Sequence, residues 1–166
     1  MKRNLFTLFF VLAATVGFSQ DFKVPASFDP QGPRDSFAKY QPDVLKAVDW
    51  LVNNSPEHPK RQQANAFLIG WLTGSPDVTL EINADILTFM EDNSQLLPVF
   101  MGGWAKYALE SKDNDTVKGT VAGINTTLAF YEKYKSEIGK SKGLDAYAKL
   151  RDNGKLESTI KKKLKA

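Results

Sequence analysis

The chain contains no cysteine and only one histidine. Without cysteine the protein can form no disulfide, use no thiol nucleophile and bind no metal through a cysteine thiolate. The single histidine, His58, stands in a loop rich in proline and charge. A lone histidine is better explained as a solvated loop residue than as a general base or a metal ligand. We therefore predict no metal site and no cofactor.

Long apolar runs are also missing after the first nineteen residues. Those residues follow the order of a secretory signal: Lys2 and Arg3, an uncharged apolar run up to Gly17, and then small residues at the two positions that a signal peptidase reads. The run is shorter than the roughly 20 apolar residues of a membrane-spanning helix. The sequence thus predicts cleavage after Ser19 and export to the periplasm or the medium.

The mature chain carries little net charge. Cleavage would leave 147 of the 166 residues, and the loss of Lys2 and Arg3 would lower the formal charge from +3 to +1. Nucleic-acid binding normally rests on clustered lysine and arginine, so nucleic acid is not a predicted partner. The length suits one domain with its own core. We divide the chain into a signal peptide (1–19), an irregular lead-in (20–41) and one helical domain (42–166).

Strand patterns are scarce, and helical spacing dominates. One short alternation from Val78 to Ile82 lacks a partner strand nearby and is taken as a helix start. Apolar residues recur at helical spacing in seven stretches, 44–52, 64–72, 82–90, 97–108, 121–134, 144–150 and 156–164. Gly74 is predicted to end the second helix in a left-handed turn, and Asn114 or Asp115 to cap the fifth.

These helices are joined by short polar turns, which favours antiparallel neighbours. The predicted fold is all-α, an irregular antiparallel bundle of about six to seven helices behind the cleaved signal. Two similar helix exits, Trp50–Pro56 and Trp71–Pro76, leave a short α-solenoid of helical hairpins as the alternative.

Catalytic motifs are absent from the sequence. No nucleophile elbow is present. The Asp113-Asn114-Asp115 run fails as a calcium loop because Lys118 stands where that loop requires glycine. Glu81, Asp85 and Glu91 are the remaining catalytic candidates, and they read more simply as a solvated acidic face. We predict a non-enzymatic protein with no catalytic residue.

Two adjacent glycines inside the predicted fourth helix suggest a different kind of site. Each costs helix stability of about 1 kcal/mol relative to alanine, so close helix packing or a ligand lying against the backbone must explain them. The ligand alternative is a mostly apolar pocket. Its predicted lining is Trp71, Met101, Gly102, Gly103, Trp104 and Tyr107.

The distribution of charge is uneven. No lysine or arginine occurs from Gln62 to Ala105, whereas residues 140–166 hold nine basic and three acidic residues, a net charge of +6. The last helix could pack near the acidic third helix, or its narrow apolar stripe could lie on an anionic membrane or an acidic partner. The candidate surface for such contact is Lys155, Lys161, Lys162, Lys163 and Lys165.

The leading functional prediction is an exported module that binds another protein or an envelope assembly. A small-ligand binder with an aromatic pocket and a peripheral membrane binder acting through the basic C-terminal helix are the alternatives.

Overall fold

The computed structural model describes residues 22–165, and all regular secondary structure in that range is helical, with no β-strand. The predicted signal peptide lies outside the described residues. No helix in the described range is both long and apolar enough to cross a membrane. Six α-helices form the bundle: α1 (Gln41–Asn53), α2 (Arg61–Gly74), α3 (Leu97–Ser111), α4 (Thr116–Ile138), α5 (Lys142–Asp152) and α6 (Leu156–Lys163). The all-α prediction is confirmed.

The ends of several helices follow their local sequence. Pro42 and Pro98 stand in the first turns of α1 and α3, where a missing backbone N–H costs no hydrogen bond. The Asp115 carboxylate accepts a hydrogen bond from the Lys118 backbone N–H at 2.8 Å and caps α4. One of the two predicted caps is therefore the real one.

Gly74 does not adopt the predicted left-handed conformation. It is the last residue of α2, and the described glycines with positive φ are Gly139 and Gly154. A Cβ built on Gly74 would lie 2.1 Å from the Phe37 ring. This close contact explains the glycine. Helix α2 does end at Gly74, but the predicted left-handed turn was wrong.

The predicted third helix does not exist. Between α2 and α3 the chain is irregular apart from two short 3-10 turns at Thr88–Met90 and Ser94–Leu96. The Asn83 and Asn93 side chains accept backbone N–H groups two residues further on, each at 2.9 Å. Such local bonds compete with helix formation. Ile82, the first residue of the predicted stripe, is 54% exposed.

Two clusters of buried side chains make up the core. The first joins α1 and α2 with residues 22–40, whose rings include Phe22, Phe37 and Tyr40. The second lies among the remaining helices and the irregular segment. Helix α3 contributes to both, with Ala105 in the first cluster and Phe100 in the second.

Helices α3 and α4 make the most extensive contact between elements of the described chain. Three glycines allow this close approach. Added Cβ atoms would lie 2.4 Å from Thr126 Oγ1 at Gly103, 2.2 Å from Trp104 Nε1 at Gly119 and 2.7 Å from the Phe100 ring at Gly123. The predicted packing role of the glycine pair is realised most directly at Gly103.

We expect Gly119→Ala to lower the free energy of unfolding by about 1–3 kcal/mol, although alanine is the better helix former. The new methyl group would overlap the indole of Trp104, which is buried in the second cluster. Urea denaturation measures the effect. Asn125→Ala, on the exposed face of the same helix, should change the value by less than about 0.5 kcal/mol. Equal stability of the two variants would contradict the account.

Candidate functional site

The two tryptophans of the predicted aromatic pocket lie in different parts of the core. Trp71 is fully buried in the first cluster, and its indole N–H donates a hydrogen bond to the Phe37 carbonyl at 3.0 Å. Trp104 is 1% exposed in the second cluster. The structure therefore does not bring these two rings to one pocket.

The other predicted pocket residues have packing or capping contacts. Gly102 faces Val48 and Leu68 of the neighbouring helices, and Met101 is half-buried against the second cluster. The Tyr107 hydroxyl donates to Asp113 Oδ2 at 2.7 Å. That hydrogen bond, with some desolvation, raises the pKa of Tyr107. These contacts support a structural explanation for each residue.

The apolar stripe of the basic C-terminal helix is used within the domain. Leu156 and Ile160 of α6 are buried in the second cluster. The ammonium group of Lys163 donates to the Asp85 carbonyl at 2.6 Å, so α6 does pack beside the acidic segment. The exposed lysines of the predicted surface are Lys155, Lys161, Lys162 and Lys165.

The catalytic candidates do not converge. Glu81, Asp85 and Glu91 are exposed along the irregular segment. His58 is half-buried. Its ring packs edge-on against Trp50, with the ring centroids 4.8 Å apart. Its Nδ1 accepts a hydrogen bond from the Lys60 backbone N–H at 3.2 Å. Within residues 22–165, no group of three His, Asp or Glu side chains is placed to hold a metal ion.

A cleft opens where the loop after α1 leads into α2. Its volume is about 310 Å³, and it is open to solvent. Its lining consists of Pro56, Glu57, His58, Pro59, Arg61, Gln62, Asn65 and Gln95. The loop is held to α4, because the Tyr134 hydroxyl donates to the Asn53 carbonyl at 2.6 Å and Ser55 hydrogen-bonds Glu137. The cleft therefore has anchored walls.

Arg61 is the unusual member of this lining, because it is charged and only 4% exposed. One nitrogen, Nη1, donates to the carbonyls of Leu51, Asn54 and Ser55 at 3.0, 3.1 and 3.4 Å. These carbonyls belong to the last turn of α1 and to the residues after it. Carbonyl groups at this place receive no hydrogen bond from within the helix. Arg61 thereby joins the end of α1 to the start of α2.

The remaining polar edge of Arg61 has no partner. Nε and Nη2 are buried and make no hydrogen bond, and the same holds for Oδ1 of Asn65 one turn further along α2. No Asp or Glu of the described chain forms an ion pair with Arg61. The Phe130 ring covers the guanidinium group, with its centroid 4.5 Å from Arg61 Cζ. This cation–π contact offsets part of the cost of desolvating the charge.

Burial without a counter-ion has an electrostatic consequence. Desolvation lowers the pKa of Arg61 from 12.5 to about 10, so the side chain is still charged at neutral pH. An uncompensated buried charge is costly unless something pairs with it. The first turn of α2 adds partial positive charge at the same place. The cleft can therefore attract and orient an anionic group.

The sequence reasoning missed Arg61. A signal was present, because Arg61 shares a helix face with Ala64, Leu68 and Trp71, the stripe that marks the buried side of α2. A charged residue on the core side of a stripe is uncommon and usually paired. Which groups would surround it, and that no carboxylate is among them, depends on the packing of α1 and α4.

We expect Arg61→Ala to lower the free energy of unfolding by about 2–3 kcal/mol, because three carbonyl groups lose their donor. Urea denaturation followed by circular dichroism measures this. Gln62→Ala, at the exposed neighbouring position, should change stability by less than about 0.5 kcal/mol. If the two variants unfold at the same urea concentration, Arg61 does not join α1 to α2 as described.

The structure thus offers one anchored cleft with unpartnered donor and acceptor atoms on neighbouring turns of α2. No protein-family model, curated protein or solved structure matches this chain. The chemistry of the cleft is the strongest pointer to what the protein does.

Proposed function

We propose that this chain is an exported, non-enzymatic module that binds a partner protein, and that the partner docks at the cleft around Arg61. The observation that carries the proposal is that Arg61, one of the residues lining an open cleft, is buried and keeps two donor nitrogens without a partner. An open cleft of about 310 Å³ is at the small end for a ligand pocket. It suits one residue presented by a larger partner.

Export is part of the proposal because it defines where the partner is met. The support is the three-part pattern of residues 1–19. An envelope protein is then the natural kind of partner, in the periplasm or outside the cell.

The non-enzymatic part rests on where the candidate acids lie. Glu81, Asp85 and Glu91 are exposed and none of them lines the cleft. The lining contains a single carboxylate, that of Glu57, and this side chain is exposed at the loop.

The two alternatives have weaker support. A ligand pocket between Trp71 and Trp104 would require side chains that now fill the core to move. Membrane binding through α6 would require Leu156 and Ile160 to leave the second cluster.

The export proposal predicts a shortened chain. When the full sequence with a C-terminal tag is expressed in a bacterium that secretes proteins, the intact mass should correspond to residues 20–166 plus the tag. Replacing Lys2 and Arg3 by glutamate should slow processing, because the positive start of the signal is lost. Recovery of the uncleaved chain alone, in the cytosol, would contradict export.

Partner binding at the cleft predicts site-selective crosslinking. A photo-crosslinking amino acid at Gln95, on the exposed rim of the cleft, should give one discrete protein adduct in the native envelope. The same amino acid at Thr73, which is also exposed but does not line the cleft, should not.

The identity of the adduct follows from mass spectrometry of the crosslinked band. Adducts of equal yield and identity from both positions would show that the cleft is not the docking site. The absence of any protein adduct from either position would contradict the proposed function as a whole.

A further inference from the structure

We propose that the group recognised in the Arg61 cleft is the carboxylate end of a peptide chain, held by the free edge of the guanidinium group and by the Asn65 side chain. This inference rests on the proposed function, and it names the chemistry that the partner presents.

Arg61 has one edge of its guanidinium group without a hydrogen-bond partner. Arg61 uses Nη1 for the three carbonyls at the end of α1, and it leaves Nε and Nη2 buried and unpartnered. These two nitrogens point their N–H groups along the same edge of the planar side chain. That edge matches the two oxygens of a carboxylate in a bidentate pair.

The Asn65 side chain provides an unpartnered acceptor nearby. Asn65 follows Arg61 by one helical turn, so the two side chains start about 5–6 Å apart on one face of α2. Asn65 Oδ1 is buried and needs a donor. The last residue of a peptide carries both groups close together, a carboxylate for Arg61 and a backbone N–H for Asn65. A bare carboxylate would satisfy only one of them.

The charge of the cleft lining limits the charge of the ligand. The cleft lining holds one buried cation and, at the exposed loop, the carboxylate of Glu57. A dianionic phosphate is normally held by several cationic or N–H donors. One guanidinium edge, in a lining that also carries one exposed carboxylate, favours a ligand with a single negative charge. The first turn of α2 adds a modest attraction to an anion at this position.

The groups packed around Arg61 restrict access to its guanidinium group. The Phe130 ring covers the guanidinium group at 4.5 Å, and the α1 carbonyls occupy the Nη1 side. Arg61 also lines the cleft, but Nε and Nη2 are fully covered, so a lining side chain must shift before a ligand can reach the free edge. A chain end fits such a restricted site, because no residue has to continue beyond it.

The test uses the purified isotope-labelled chain and follows the Nε–H signal of Arg61 by NMR, assigned by its loss in Arg61→Lys. The main probe is N-acetyl-dialanine with a free carboxylate. The comparison probes are its neutral C-terminal amide, acetate, a blocked peptide with one internal glutamate, and inorganic phosphate.

We expect N-acetyl-dialanine to shift the Arg61 signal with an affinity on the order of millimolar, and the amide to leave it unchanged. Acetate should bind about fivefold more weakly, since it lacks the N–H for Asn65. Stronger binding of the internal-glutamate peptide would overturn the assignment to a chain end. Equal or stronger binding of phosphate would overturn the assignment to a carboxylate.

Three substitutions separate recognition from stability. Asn65→Ala should weaken N-acetyl-dialanine about fivefold and leave acetate unchanged. Glu57→Gln should tighten both carboxylate probes about twofold, and added salt should remove the gain. Glu81→Gln removes the same charge away from the cleft and should have no effect. A gain of affinity in Glu57→Gln cannot result from misfolding.

The outcomes also separate this inference from the proposed function. If Gln95 crosslinks to a partner while no carboxylate probe shifts Arg61 up to its solubility limit, the partner module stands and the chain-end assignment is overturned. If the free peptide binds as expected but no protein adduct forms, carboxylate recognition stands and the protein partner does not.

Discussion

The close approach of α3 and α4 is the constraint on which the rest of this structure depends. Helix α3 serves both halves of the core, since Ala105 packs with α1 and α2 while Phe100 packs with the later helices. This is possible because glycines at 119 and 123 let α4 lie directly against the large rings of α3. With larger residues there, α4 would be displaced, and Phe130 and Tyr134 would move with it. Those two residues cover the guanidinium group and hold the loop of the cleft.

The cleft is thus a product of three helices rather than of one motif. Helix α1 supplies the carbonyl groups that take one nitrogen of Arg61, α2 supplies Arg61 and Asn65, and α4 supplies the aromatic cover. The arrangement holds the guanidinium plane in one orientation with one edge free. A buried charge that is oriented in advance loses little side-chain freedom when a ligand binds. The free edge is the reason why we propose a recognition role for Arg61, since an arginine with a purely structural role gains most by using all of its donors.

The burial of the cation is balanced only in part. The Phe130 ring and the α1 carbonyls stabilise the charge, but no carboxylate compensates it, and its pKa is lowered to about 10. Acidic side chains are present in the chain, but none of the described ones forms an ion pair with Arg61. Lys163 of α6 contacts the backbone carbonyl of Asp85 and not its carboxylate, so this contact does not neutralise the acidic stretch either. The Arg61 charge is left without a counter-ion.

Local sequence determined much of this protein: the helical class, the proline starts of α1 and α3, and the cap of α4 at Asp115. Each of these depends on neighbours within a few residues, through apolar spacing, a fixed φ or a side chain that bonds a nearby N–H. Only the tertiary structure decided three other matters. Residues 82–90 have helical spacing, but Ile86, Leu87 and Phe89 are buried from an irregular backbone that includes an Asn turn. Gly74 is set by the ring of Phe37, which is distant in sequence. Arg61 became the centre of the candidate site because helices α1 and α4 surround it with carbonyls and a ring and bring no carboxylate. Such long-range neighbours have no signature in a local pattern, since apolar spacing specifies which face is buried and not what it is buried against.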